Sequence, residues 1–210
     1  MKKELINQLT KANVFPRLAK EAIHYYYNKN TDEVEIPNEL DLFPSKTHKI
    51  AASNNSYGIY IEGPIGSGKS VLSAALLAKN AQKLTPISEV DLEEEEEEFL
   101  MFYSVPRLLT DIKRSFDPNP SISSSAIIDK CIDSKILVLD DIGAQSSTVW
   151  ALETLYIIID DRYGNYKPTI FTSNYTIQDL KDQIGDSRIP SRISGMCEVF
   201  SMKNMTIKNS

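Results

Sequence analysis

Residues 57 to 202 predict a three-layer α/β fold, a five-stranded parallel sheet between two layers of helices, and three observations carry that expectation. Short β-rich runs alternate with helix-length segments, the pattern of right-handed strand–helix–strand crossovers. One run, Ile136-Leu137-Val138-Leu139, is apolar without alternation, as a strand covered on both faces requires. A glycine-rich turn, Gly63 to Gly68, follows the first run directly and opens into a helical segment.

The elements follow in order. Lys2–Lys11 and Pro16–Lys29 carry helical spacing, with Leu5, Leu9, Leu18, Ile23 and the pair Tyr26–Tyr27 as apolar positions. Asn28–Pro37 is polar and turn-rich, so residues 1–45 are expected as a helical appendage and linker, with residues 46–210 as the core. Packing of these helices onto the core is the alternative. The strands are expected at Tyr57–Glu62, Phe99–Ser104, Ile136–Asp140, Thr169–Ser173 and Cys197–Met202. Helices are expected between them at Lys69–Lys83, Pro106–Phe116, Thr148–Tyr163 and Ile177–Ile184. The stretch 83–98 reads as an insertion that ends in six consecutive glutamates, Glu93–Glu98. Such charge density favours a solvated loop, and an acidic docking patch for a basic partner is the other reading.

Composition narrows the classes. The net charge of −6 comes from the glutamate run, because the remaining acidic residues balance the 23 Lys and Arg. Any nucleic-acid contact must therefore come from a local basic patch rather than from bulk charge. No apolar run approaches the roughly 18 residues of a membrane span, and the N-terminus does not read as a signal peptide. Two cysteines, Cys131 and Cys197, without CxxC or a neighbouring histidine, argue against a zinc site or a disulfide framework. A cytoplasmic location is the expectation.

The chemistry concentrates at strand ends. Gly63-Pro64-Ile65-Gly66-Ser67-Gly68-Lys69-Ser70 matches G-x-x-x-x-G-K-[ST] between a strand and a helix. Glycines let successive backbone N–H groups turn inward onto anionic oxygens, and the following helix presents its positive end to them. Lys69 is expected on the β- and γ-phosphates of ATP, and the Ser70 hydroxyl on Mg2+. Asp140, at the end of the Ile136 strand, is the expected metal-side carboxylate, with Asp141 placed to orient or deprotonate the attacking water. Asn174 ends the Thr169 strand; beside the first strand it would face the γ-phosphate, and otherwise it caps the next helix. Arg188 and Arg192 suit stabilisation of a transferring phosphoryl group, against the plainer reading of surface ion pairs with Asp182 or Asp186. Arg107, Lys113, Arg114, Lys130 and Lys135, with Tyr103 or Phe116 for stacking, are the candidates for a single-strand-binding surface, or else scattered surface charges.

Together these residues resemble the DnaC/DnaI/IstB family of AAA+ ATPases over roughly residues 45 to 202. The resemblance rests less on the widely shared P-loop than on Leu137-Val138-Leu139-Asp140-Asp141-Ile142-Gly143-Ala144-Gln145. That string is followed by Trp150, Glu153, Asp160-Asp161-Arg162-Tyr163 and Pro168-Thr169-Ile170-Phe171-Thr172-Ser173-Asn174. The resemblance implies an AAA+ type core and an ATP-driven switch that self-associates. It implies sites completed in trans by Arg192, and work on single-stranded DNA or a replicative helicase as a helicase loader. An IstB-like transposition helper is the runner-up within the fold; a P-loop kinase or a weakly hydrolysing nucleotide switch are the readings from other classes. Two departures stand out: Asp141 occupies a position where many AAA+ proteins carry glutamate, and only Lys203–Ser210 follow the last strand, so a C-terminal lid is expected to be minimal or absent.

Overall fold

The computed structural model describes residues 2–37, 40, 56–84, 100–116, 123–145 and 147–202. The expected boundary near residue 45, the glutamates of the 83–98 insertion and the stretch 203–210, on which the expectation of a minimal or absent lid rests, lie outside these described residues. Two helices, α1 (Lys2–Lys11) and α2 (Pro16–Tyr26), precede a two-residue antiparallel pair, β1 (Tyr27–Asn28) with β2 (Glu33–Val34). The core then runs β3 (Gly58–Glu62), α3 (Lys69–Leu84), β4 (Leu100–Ser104), α4 (Val105–Arg114), α5 (Ser124–Asp133) and β5 (Ile136–Asp140). It ends with α6 (Val149–Gly164), β6 (Thr169–Ser173), α7 (Ile177–Ile184), α8 (Arg188–Met196) and β7 (Cys197–Ser201).

Five strands pair in parallel in the order β4-β5-β6-β3-β7. The interior strands β3, β5 and β6 are buried along their whole length. Side chains alternate between two cores, as the two-residue period of a strand demands. Ile59, Ile61, Val138 and Ile170 face α1, α2 and α3. Tyr60, Leu137, Leu139 and Phe171 face the layer of α4 to α8.

The helices expected as an appendage form part of the first layer. Leu5, Leu9, Ala19, Ala22 and Ile23 share one buried cluster with Leu72, Leu76 and Ile59, because an apolar helical stripe needs cover and α3 supplies it. The turn between α1 and α2 also closes the free edge of β4. The Phe102 N–H donates to Ala12 O at 2.7 Å, and Asn13, at φ 69°, donates through Nδ2 to Phe102 O at 3.0 Å. This covers an edge that would otherwise offer unpaired backbone groups.

Two helices escape the sequence pattern. α5 opens on a serine-rich stretch that reads as loop, yet Ser123 caps it by accepting from the Ala126 N–H at 3.2 Å. α8 contains Pro190, which reads as a breaker but sits in the first turn, where its missing N–H has no intrahelical partner to lose. Among the described residues no helix is long and apolar enough to cross a membrane.

Candidate ATP site

The sheet order decides which strand ends meet. β6 lies between β3 and β5, so the turn after β3, the carboxylates after β5 and the amide after β6 converge at one edge. The Gly63 N–H donates to Ser173 O at 3.2 Å, which ties the first residue of the P-loop to the end of β6. The P-loop then curls, with Gly68 at φ 91°, a left-handed conformation that glycine adopts without steric cost. α3 begins at Lys69, so its N-terminus opens on the loop.

Lys69 is buried to 7% exposure and is the hub of the cluster. Its Nζ donates to Gly63 O and Pro64 O at 2.9 Å each and to Asn174 Oδ1 at 2.8 Å. Burial pushes its ammonium below the usual lysine range, and the charges of Asp141 and Asp140 oppose that shift. Asn174 Nδ2 in turn donates to Asp141 Oδ1 at 3.3 Å. The P-loop lysine, the strand-end amide and the expected base thus form one chain of contacts.

Ser70 makes the second link. Its hydroxyl donates to Asp140 Oδ2 at 3.0 Å, while Thr172 Oγ1 donates to Asp140 Oδ1 at 2.7 Å. Burial raises the Asp140 carboxyl above its ordinary value; the Thr172 and Ser70 hydrogen bonds and the Lys69 charge pull the other way, and the Asp141 charge adds to the rise. Ser67 fits a phosphate ligand as well: its Oγ is buried and has no hydrogen-bond partner among the described residues. A hydroxyl and a carboxylate side by side, next to a buried lysine and an orphaned hydroxyl in a P-loop, suit a magnesium-bound triphosphate. Residues Gly63 to Ser70 with Asp140, Asp141 and Asn174 are brought together as the sequence expects.

Arg188 and Arg192 stand apart from that cluster. Arg188 Nη2 meets Asp186 Oδ2 at 2.7 Å, one of the ion pairs that the sequence offers as the plainer reading. Arg192 Nε meets Asp160 Oδ1 at 2.6 Å, a partner on α6 that sequence alone does not suggest. Their guanidinium groups lie over Tyr156 at 4.7 Å and Tyr163 at 4.8 Å, on the outer side of α6 and α8.

The basic candidates divide. Arg107 and Arg114 both lie 3.6 Å from Asp111, and Arg107 also covers Phe15 at 4.7 Å. Lys113 sits 5.0 Å over the Trp150 ring, against which Phe116 packs edge-on at 6.0 Å. Trp150 is the member sequence reasoning left without a role. Its signal is a tryptophan at the first turn of α6, close in space to the last residues of α4.

Three further residues of that distinctive string have structural tasks. Gly143 stands at φ 97°, and a Cβ there would lie 2.8 Å from Leu180 Cδ1 and 3.0 Å from Tyr175 Cδ2. Gln145 Oε1 accepts from the Gly143 N–H at 2.8 Å, which closes the loop after β5. Arg162 is wholly buried, with no exposure.

The chain is similar to known proteins in sequence and in fold. The family model of IstB-like ATP binding protein matches residues 46–209, well over half of the chain. The replicative helicase loader DnaI of Bacillus subtilis (strain 168) is 26% identical over 153 residues, 71% of this chain and 44% of that protein. The uncharacterised protein YqaM of the same organism is 26% identical over 147 residues, 68% of this chain and 41% of that protein. The chain thus spans less than half the length of these curated relatives. Among solved structures, the DnaC helicase loader superposes with a TM-score of 0.56 at 27% identity, covering 70% of this chain and 78% of that one. DnaA of Aquifex aeolicus with bound AMPPCP shares the fold, at a TM-score of 0.53 and 20% identity, with 68% of this chain and 39% of that one covered. The chain belongs to the IstB-like ATP-binding protein family and has the AAA+ P-loop fold.

Proposed function

We propose that this protein hydrolyses ATP as an AAA+ switch in DNA replication, where it loads or remodels a replicative helicase. The observation that carries the hydrolytic part is the chain Lys69–Asn174–Asp141 beside the pair Ser70–Asp140. In this reading the triphosphate lies on backbone N–H groups of the stretch from residue 65 to 70. Lys69 exchanges the carbonyls of Gly63 and Pro64 for phosphate oxygens. Ser70 and Asp140 would hold Mg2+, which would supply charge neutralisation at the phosphate oxygens. Water attacks the γ-phosphorus, its proton passes to Asp141, and the bond to the bridging oxygen breaks to release ADP; Asn174 holds the water and Asp141 in line.

The outward position of Arg192 supports a site completed by a second copy, which brings that guanidinium to the γ-phosphate of its neighbour. The helicase assignment is supported by the similarity to proteins named as helicase loaders, DnaI and DnaC. Membership of the IstB-like ATP-binding protein family leaves a second reading beside it, a transposition helper of the IstB kind. Single-stranded DNA is the proposed nucleic acid, with Lys113, Phe116 and Trp150 as its stacking and charge groups.

ATP turnover across protein concentrations, with and without single-stranded DNA, tests the assembly. The expected result is turnover per molecule that rises with concentration, changes with DNA and disappears in Arg192→Ala. Turnover strictly proportional to concentration, equal in Arg192→Ala and indifferent to DNA, would refute an assembling loader and favour a monomeric switch or kinase.

A further inference from the structure

Thr172 is 1% exposed in the middle layer of the fold. It lies one step beyond the Leu139–Phe171 pair of β5 and β6, which sets it beside Asp140. Its hydroxyl has both roles filled. It donates to Asp140 Oδ1 at 2.7 Å and accepts from the Asp141 N–H at 2.8 Å. The same strand grips the following residue twice. The Ile142 N–H donates to Thr172 O at 2.9 Å, and Ser173 Oγ donates to Ile142 O at 2.7 Å.

Two consequences follow from that geometry. Asp141 stands at φ 63°, a left-handed conformation that aspartate tolerates but seldom adopts, and the bond from its N–H to Thr172 fixes it there. Asp140 has one oxygen committed to Thr172, so its other oxygen, Oδ2, is the one turned to Ser70. A single buried hydroxyl thereby sets the direction of two carboxylates that perform different tasks.

We propose that Thr172 is a positioning residue that aims Asp140 Oδ2 at the metal position and holds Asp141 in its left-handed turn toward the attacking water. The proposal rests on the reading of Asp140 as the magnesium-side carboxylate and Asp141 as the base. Removing the hydroxyl frees Asp140 to rotate and strips the half-buried Asp141 N–H of its acceptor. Partners one step behind a metal ligand typically matter by about 10–100-fold in metal affinity or activity.

The test compares Thr172→Val and Thr172→Ser, with Thr172→Ala beside them so that misfolding of one variant does not decide the result. Affinity for a fluorescent ATP analogue is measured in Mg2+ and in EDTA, with turnover and thermal unfolding on the same samples. The expected valine variant folds and matches the wild type in EDTA within about twofold, loses the gain that Mg2+ gives, and turns over about 10–100-fold more slowly. Thr172→Ser recovers both properties, because it keeps the hydroxyl. A valine or alanine variant with wild-type magnesium dependence and turnover overturns the proposal. So does a serine variant as impaired as valine, which would assign the effect to packing of the methyl group. A wild-type chain whose affinity ignores Mg2+ would remove the metal reading itself, an outcome distinct from intact magnesium dependence in the valine variant.

Discussion

Replacing Arg162 by methionine isolates what a residue from the family-like string does for the fold. The guanidinium is fully buried with no carboxylate in ion-pair contact among the described residues, and burial pushes its pKa down to about 10, which leaves it charged at neutral pH. Nη1 donates to the carbonyls of Cys131, Ile132 and Ser134 at 2.9, 3.0 and 2.8 Å and to Ser134 Oγ at 3.2 Å. Nε donates to Thr169 Oγ1 at 2.8 Å, and Nη2 to Pro168 O. One side chain on α6 therefore fastens the end of α5 to the starts of β5 and β6. Not every acceptor is orphaned by its loss: Lys167 Nζ still serves Ile132 O at 2.9 Å, and Ser134 Oγ still serves Cys131 O at 3.1 Å. A lost bond to a charged donor is worth about 1.5–3 kcal/mol, against which methionine recovers part of the desolvation of the charge. The expected net loss is about 3 kcal/mol, or a melting temperature lower by about 6–12 °C for a chain of this size. Urea and thermal unfolding by circular dichroism measure it. Nucleotide affinity below the transition should be unchanged, since these contacts lie at the N-terminal ends of β5 and β6, opposite the P-loop. A loss under about 1 kcal/mol, or reduced affinity in the folded variant, would refute the reasoning.

Gly143→Ala should destabilise by about 1–3 kcal/mol and slow turnover, because alanine at φ 97° is strained and its Cβ meets Leu180 at 2.8 Å; chemical denaturation beside turnover checks both. Asp140→Asn should make the nucleotide-free protein more stable at neutral pH while abolishing the benefit of Mg2+. The sign follows from burial: a carboxyl whose folded pKa is raised weighs against folding once pH exceeds the raised value. The stability gain over wild type should therefore shrink as pH falls through the carboxylate range, and a gain that grows toward acid would contradict the account. Asn13→Ala should cost about 1–2 kcal/mol, since it removes the bond to Phe102 O and places alanine at φ 69°; hydrogen exchange should report faster opening of β4.

Much of the site was legible because its residues act through types and spacings that sequence displays. The P-loop between a strand and a helix, the apolar run ending in Asp140-Asp141 and the amide after Ser173 each name a strand end. Only the order of strands was needed to bring them together. What stayed hidden depends on partners far away in sequence. Arg162 and Arg192 belong to similar-looking polar stretches, yet one is a buried bolt and the other a half-buried ion pair with Asp160. Thr172 reads as one more β-branched residue until Asp140 is seen beside it. The N-terminal helices carry the right stripe, but the stripe does not say that α3 will cover it. α8 carries Pro190, a residue that weighs against a helix in general and not in the first turn.

The central claim is that residues 63–70 with Asp140, Asp141 and Asn174 bind and cleave ATP. The most direct measurement is binding of a fluorescent ATP analogue and release of inorganic phosphate, on the same samples of wild type, Lys69→Ala and Asp141→Asn. Wild type should bind the analogue and release phosphate, Lys69→Ala should bind at least about 100-fold more weakly, and Asp141→Asn should bind near-normally without release. Nucleotide binding that survives Lys69→Ala, or phosphate release that survives Asp141→Asn, would contradict that claim.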